Sequence, residues 1–333
     1  MLMNTPLTRR TFSLGSACLA GLAQAKKSPR AVGVVTAPSS LGLRPNEKGK
    51  EPGTWRAPEV LLATGLAEAV SARSVVKLTR QHYDFAEQSG TRIRNGNTLR
   101  AFLLGLATTV QAELAAGRFP LVLGGDCGVM LGCLYALRRT GGRGLVHVDG
   151  HSDFFHPGNY DTRSRLGTAA GMDLALATGR GEALLAQWPG VEGPLVADED
   201  AIQAGEREAE QPDYAQGYPD VMKTAITRLT IQQILREGVS RTAERIVQRL
   251  SERKLDRAWM HVDLDVLDAR VMNAVDSPGS PGFDFAQLRS LLRALIASER
   301  IAGMTVCIYD PDLDEARRFA TPIVQCLAGA LRA

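Results

Sequence analysis

Asp149, His151 and Asp153 stand two residues apart, and Asp263 and Asp265 repeat that interval much later in the chain. An extended backbone sends residues i, i+2 and i+4 to one face, so each set projects as a group. Four carboxylates and an imidazole brought together repel one another and resist burial unless cations neutralise them. The chemistry they imply is metal binding, with donors enough for two ions.

The elements that must carry these groups are legible on either side. Gly144 to Val148 and Arg257 to Val262 are apolar runs of strand length, each ending where an acidic motif begins. Ala31 to Val35, Phe119 to Leu123 and Gly303 to Tyr309 read as further strands, and Pro194 to Ala197 as a weaker one. Helical periodicity covers Arg56 to Val70, Thr98 to Ala116, Val129 to Arg138, Ala169 to Ala177, Glu182 to Trp188, Ser240 to Arg253, Phe285 to Ser298 and Asp314 to Leu331. Alternating strands and helices predict a parallel sheet covered on both faces. Asp198 to Met222 is polar and receives no assignment, and Phe154 to Leu166 is expected to loop over the strand ends.

The 39 basic and 36 acidic side chains are mixed along the chain, and the formal charge of +3 gives no case for a nucleic-acid partner. At the N-terminus Arg9 and Arg10 precede a Gly/Ala-rich stretch and Ala23-Gln24-Ala25. This is the order of a twin-arginine-type export signal. Residues 1–25 are therefore expected to be removed, leaving 26–333 as one domain in a periplasmic or extracellular setting, or in the cytoplasm if the signal is unused. No stretch in the remainder is long and apolar enough for a membrane span. Cys133 and Cys326 read as small buried hydrophobes.

The chain resembles the arginase/agmatinase (ureohydrolase) family. Gly124-Gly125-Asp126-Cys127 is similar to that family's GGDH segment, Asp149-Gly150-His151-Ser152-Asp153 to its DAHxD segment, and Asp263 to Ala269 to its DxDxxDP segment, in the same order. The resemblance implies a three-layer α/β/α domain around a largely parallel eight-stranded sheet. It also implies two Mn²⁺ ions sharing a hydroxide that attacks a guanidino, amidine or amide carbon, and a trimeric or hexameric assembly. By position, Asp149 and Asp263 would bridge the ions, His151 and Asp265 would serve one, and Asp153 with residue 127 the other. Asp153 would also orient the nucleophile. Asp268 is expected to hold its loop. His147 and His261 are expected to pack beside the ligands or support them.

Three departures bear on the substrate. Cys127 replaces a metal-binding His, and its softer thiolate admits Zn²⁺ or Fe²⁺. Ile308 falls where the family has the Glu that grips a guanidinium, unless Asp310 or Glu315 takes over. The run Gly167 to Met172 lacks the family's proton-shuttling His, for which His156 is the candidate replacement. The function expected is a binuclear-metal hydrolase acting on a non-peptide C–N bond of a small molecule. The alternative is a non-catalytic arginase-fold protein that keeps the site for metal or ligand binding.

Overall fold

The computed structural model describes Met1 and residues 30–210 and 218–332. The expected export signal therefore lies outside the described residues. Eight strands form a single sheet: β1 Val32–Ala37, β2 Ser74–Lys77, β3 Phe119–Gly124, β4 Leu145–Val148, β5 Ala201–Ala204, β6 Thr227–Leu229, β7 Ala258–Asp263 and β8 Ile301–Cys307. Their order is β2-β1-β3-β8-β7-β4-β5-β6 and every neighbouring pair is parallel. Every residue of β1, β3, β4, β5, β7 and β8 is buried. Helices over both faces impose this, and it is why the central strands read as continuous apolar runs.

The helices pack in two groups. Gly96–Ala115 lies against Val129–Arg139, while Phe285–Ala297 contacts both Val239–Glu252 and Ala320–Leu331. Local chemistry sets where they start. The Asp284 side chain accepts a hydrogen bond from the Gln287 amide, and the Gln287 side-chain oxygen accepts one from the Asp284 amide, a reciprocal cap that satisfies two otherwise unpaired N–H groups.

One expected strand fails. Pro194 to Ala197 pairs with no strand: Leu195 and Val196 are buried, but the Val196 amide donates to the Ala177 carbonyl in a loop. The unassigned segment 198–222 contains β5. The carboxyl ends of β4, β5, β7 and β8 lead into one crevice, where loops of an open parallel sheet gather functional groups.

Candidate metal centre

Strands β4 and β7 are neighbours in register, with His147 opposite His261 and Val148 opposite Val262. Asp149, just past β4, and Asp263, the last residue of β7, therefore leave the sheet side by side. Each turns its chain with one carboxylate oxygen. Asp149 Oδ1 accepts from the His151 amide at 2.7 Å, and Asp263 Oδ1 accepts from the Asp265 amide at 2.7 Å. The second oxygens are thereby fixed in direction. Asp263 Oδ2 takes a hydrogen bond from Cys127 Sγ at 2.7 Å, and Asp149 Oδ2 has no hydrogen-bond partner among the described residues. Asp265 joins the two motifs, with Oδ2 at 2.9 Å from His151 Nδ1 and Oδ1 accepting the Gly150 amide at 3.2 Å.

The donor atoms fall into overlapping groups, each with all members within 4.8 Å of one another. One contains Cys127, Asp149, His261 and Asp263, another Asp149, His151 and Asp265, a third His147, Asp149 and Asp153, and a fourth His147, Asp173 and His261. Asp149 belongs to three of the four. The structure thus brings Cys127, Asp149, His151, Asp153, Asp263 and Asp265 to one place. It groups Asp153 with Asp149 and His147, and Cys127 with Asp149, His261 and Asp263.

Electrostatics tests whether the set suits a cation. Burial first, and then the neighbouring carboxylates, push Asp149, Asp153 and Asp263 well above the ordinary carboxylate range. Asp265 goes the other way: burial opposes its charge, but the positive fields of His151 and Arg207 outweigh that and hold it low. Burial, the contact with Cys307 and the nearby Asp263 raise the Cys127 thiol. A fully buried, unpartnered carboxylate oxygen inside an acidic cluster is costly by itself. Divalent cations remove that cost, and hard carboxylate oxygens with an imidazole and a sulfur are competent donors for them. The residues fit the group.

Several supporting side chains escaped the sequence reading. Arg207, 1% exposed, donates from Nη2 to the Asp265 carbonyl at 2.7 Å and from Nε to the Pro281 carbonyl at 3.1 Å. A Cβ on Gly150 would sit 2.2 Å from Arg207 Nη1, so this guanidinium accounts for a Gly where the motif otherwise has Ala. Gln203, buried in β5, donates to the carbonyls of both Asp149 and His151. Glu208 accepts the Ser152 amide at 2.8 Å, and buried Asp173 lies 3.1 Å from His147 Nε2. The available signal was a Gln, an Arg and a Glu following an apolar Ala-Ile pair, and an Asp opening the apolar run Leu174 to Ala177.

Above the donors lies a cavity of about 420 Å³ with His151, Asp153, Asp263 and Asp265 in its wall. Ile308 lines it and occupies left-handed backbone, φ 73°, with its amide donating to the Gly125 carbonyl at 2.8 Å. Ala170 lines it too, so the run expected to carry a His does reach the cavity. His156 does not. Its Nδ1 accepts from the Gly158 amide at 3.1 Å and its Nε2 is 3.4 Å from Asp220, which makes it a brace of its own loop. Asp310 is likewise outside the cavity, accepting from the Gly53 and Asp312 amides, and Glu315 is exposed. The acids that do line it beyond the donors are Glu208 and Asp276.

Known proteins are similar to this chain in sequence and fold. The arginase of Bacillus caldovelox is 28% identical over 272 residues, covering 77% of this chain and 87% of that protein. Its native structure at pH 5.6 superposes with a TM-score of 0.79 at 23% identity, over 91% of this chain and 99% of that one. The formimidoylglutamase of Bacillus subtilis gives 0.69 at 19% identity over 92% and 88%. The model of the Arginase family matches residues 30–329, and with the fold, the crevice and the donor set above it, the chain belongs to that family.

Proposed function

We propose that the chain hydrolyses a non-peptide C–N bond in a small molecule whose reacting group is a neutral amide in place of a cationic guanidinium or amidinium. The family supplies the class: a metal-dependent hydrolase with a binuclear site. Two divalent ions, when bound, acidify and orient water as a nucleophile. Asp149, Asp263, Asp265, His151, Asp153 and Cys127 would hold them, with Mn²⁺ favoured by resemblance and Zn²⁺ or Fe²⁺ by the sulfur.

Ile308 carries the substrate reading. It presents an apolar side chain to the cavity that Asp263 and Asp265 share. A buried guanidinium there would lack a counter-charge, at a cost of several kcal/mol. Glu208 and Asp276 are weak substitutes, because burial raises both above the ordinary carboxylate range and Glu208 is already engaged with Ser152. The test is turnover by metal-loaded protein on matched guanidines, amidines and amides, read as ammonia or urea released. Turnover on amides with little on amidines, arginine or agmatine supports the proposal. Efficient arginine cleavage overturns the substrate class, and a fully loaded protein inert on all three classes favours a non-catalytic binder.

Export and assembly are proposed on narrower grounds. Arg9-Arg10 and the stretch after them support processing near residue 25, which N-terminal sequencing of protein recovered outside the cytoplasm checks. Family resemblance supports a trimer or hexamer, which sedimentation measures.

A further inference from the structure

His261 was expected to pack beside the ligands, and its surroundings do not satisfy it in that role. The ring is fully buried in the middle of the sheet, stacked on His147 with centroids 5.1 Å apart. Stacking covers the ring face and leaves the two nitrogens, neither of which has a hydrogen-bond partner among the described residues. The nearest carboxylate oxygen, Asp173 Oδ2, is 3.6 Å from Nε2, beyond hydrogen-bond length. A buried imidazole left in that condition is a net cost to the fold. His147, its neighbour across the strand pair, has its Nε2 served by Asp173 Oδ1 at 3.1 Å, while its Nδ1 has no partner among the described residues.

What His261 does have nearby is a set of metal donors. It sits two residues before Asp263 on β7 and so shares that face. One of its nitrogens lies within 4.8 Å of donor atoms of Cys127, Asp149 and Asp263, and those atoms lie equally close to one another. The residue at position 127 is also where the family motif has an imidazole and this chain has a thiol. The lost ring and the gained ring face the same pair of aspartates.

We propose that His261 is a metal ligand that restores the imidazole missing at position 127, forming a Cys127–Asp149–His261–Asp263 site of sulfur, nitrogen and two carboxylate donors. The proposal rests on the metal-dependent reading above and specifies which residues hold one of the two ions. Its donor mixture is softer than an all-oxygen and imidazole set, which favours Zn²⁺ or Fe²⁺ over Mn²⁺ at this position. Asp173 then has a second use. Its hydrogen bond holds the His147 ring, and because that ring is stacked on His261 it limits where the second ring can lie. The neighbouring site, built on Asp149, His151 and Asp265, keeps the harder character.

The experiment compares Zn²⁺ and Mn²⁺ binding by the wild-type protein and a His261→Gln variant, using equilibrium dialysis with elemental analysis, and adds an X-ray absorption spectrum of the zinc-loaded wild type. The wild type is expected to bind two zinc ions per chain, with scattering from about one imidazole per zinc, because His151 and His261 serve one ion each. His261→Gln is expected to weaken one site by at least about tenfold, a loss at the low end of what even supporting groups of metal ligands cause. If the folded variant keeps both sites at wild-type affinity, or if the wild-type spectrum shows only about half an imidazole per zinc, His261 is not a ligand. If the variant does not fold, the wild-type spectrum decides alone. A wild type that binds neither metal overturns the metal-dependent reading and this assignment together, whereas two bound ions with an unaffected variant overturns only the role of His261.

Discussion

Asp265 Oδ2 lies 2.9 Å from His151 Nδ1, and this contact ties the turn after β7 to the turn after β4. Asp149 is different, because its donor atoms belong to both principal groups. Asp265→Ala should therefore remove one metal equivalent and Asp149→Ala both, with activity lost in each. Elemental analysis of dialysed protein measures the difference, and equal losses from the two variants contradict a shared Asp149.

Ile308→Glu should create a grip for cationic substrates. The backbone there is left-handed, which disfavours a β-branched side chain more than an unbranched one, so Glu relieves strain as it adds charge. KM for arginine or agmatine should fall by about tenfold or more, the equivalent of roughly 1.4 kcal/mol in binding. Guanidines should also raise the variant's melting temperature through ligand linkage. Steady-state kinetics and calorimetry check both, and an unchanged preference would remove residue 308 from substrate selection.

Asp268 gives a stability prediction with a definite pH sign. Its carboxylate accepts from Arg270 Nε at 2.8 Å and Nη2 at 3.0 Å, and from Ser280, Gly282 and the Arg270 amide. The hydrogen bonds from Arg270 are the main cause holding it below the ordinary carboxylate range. A depressed folded value stabilises above the unfolded value of about 4, and that contribution fades as pH falls through the folded value. Asp268→Asn should cost about 1–3 kcal/mol at pH 7. Denaturant titration at pH 7 and at successively lower pH should show the gap closing below about pH 4.

His156→Gln should change kcat by less than about threefold, because the ring braces its loop against Asp220 and Gly158 outside the cavity. A general acid or base would cost about a hundredfold or more. A loss of that size would return His156 to the chemistry.

Much of the fold and the donor set could be read from the sequence because the central strands are buried on both faces and end directly in the motifs. What could not be read follows physical lines. β2 is a four-residue edge strand with alternating exposure, and β6 has three residues, too short for any periodicity to register. β5 is Ala-Ile-Gln-Ala, and its Gln looks out of place until the amide is seen to hold the Asp149 and His151 carbonyls. Leu195 and Val196 mimicked a strand because burial in a loop selects the same residue types. Arg207, Asp173 and the isolation of His261 are tertiary facts. Each depends on two strands or loops meeting, which spacing along one segment does not encode.

The strand order has one more consequence. β8 lies between β3, which leads to Cys127, and β7, which ends in Asp263, and it is hydrogen-bonded to both. Residue 308, just past β8, thus reaches the cavity from a segment that supplies none of the metal donors. On the proposed reading, substrate recognition and water activation fall on separate pieces of chain, so a single codon at 308 would retune selectivity while the metal donors stay as they are.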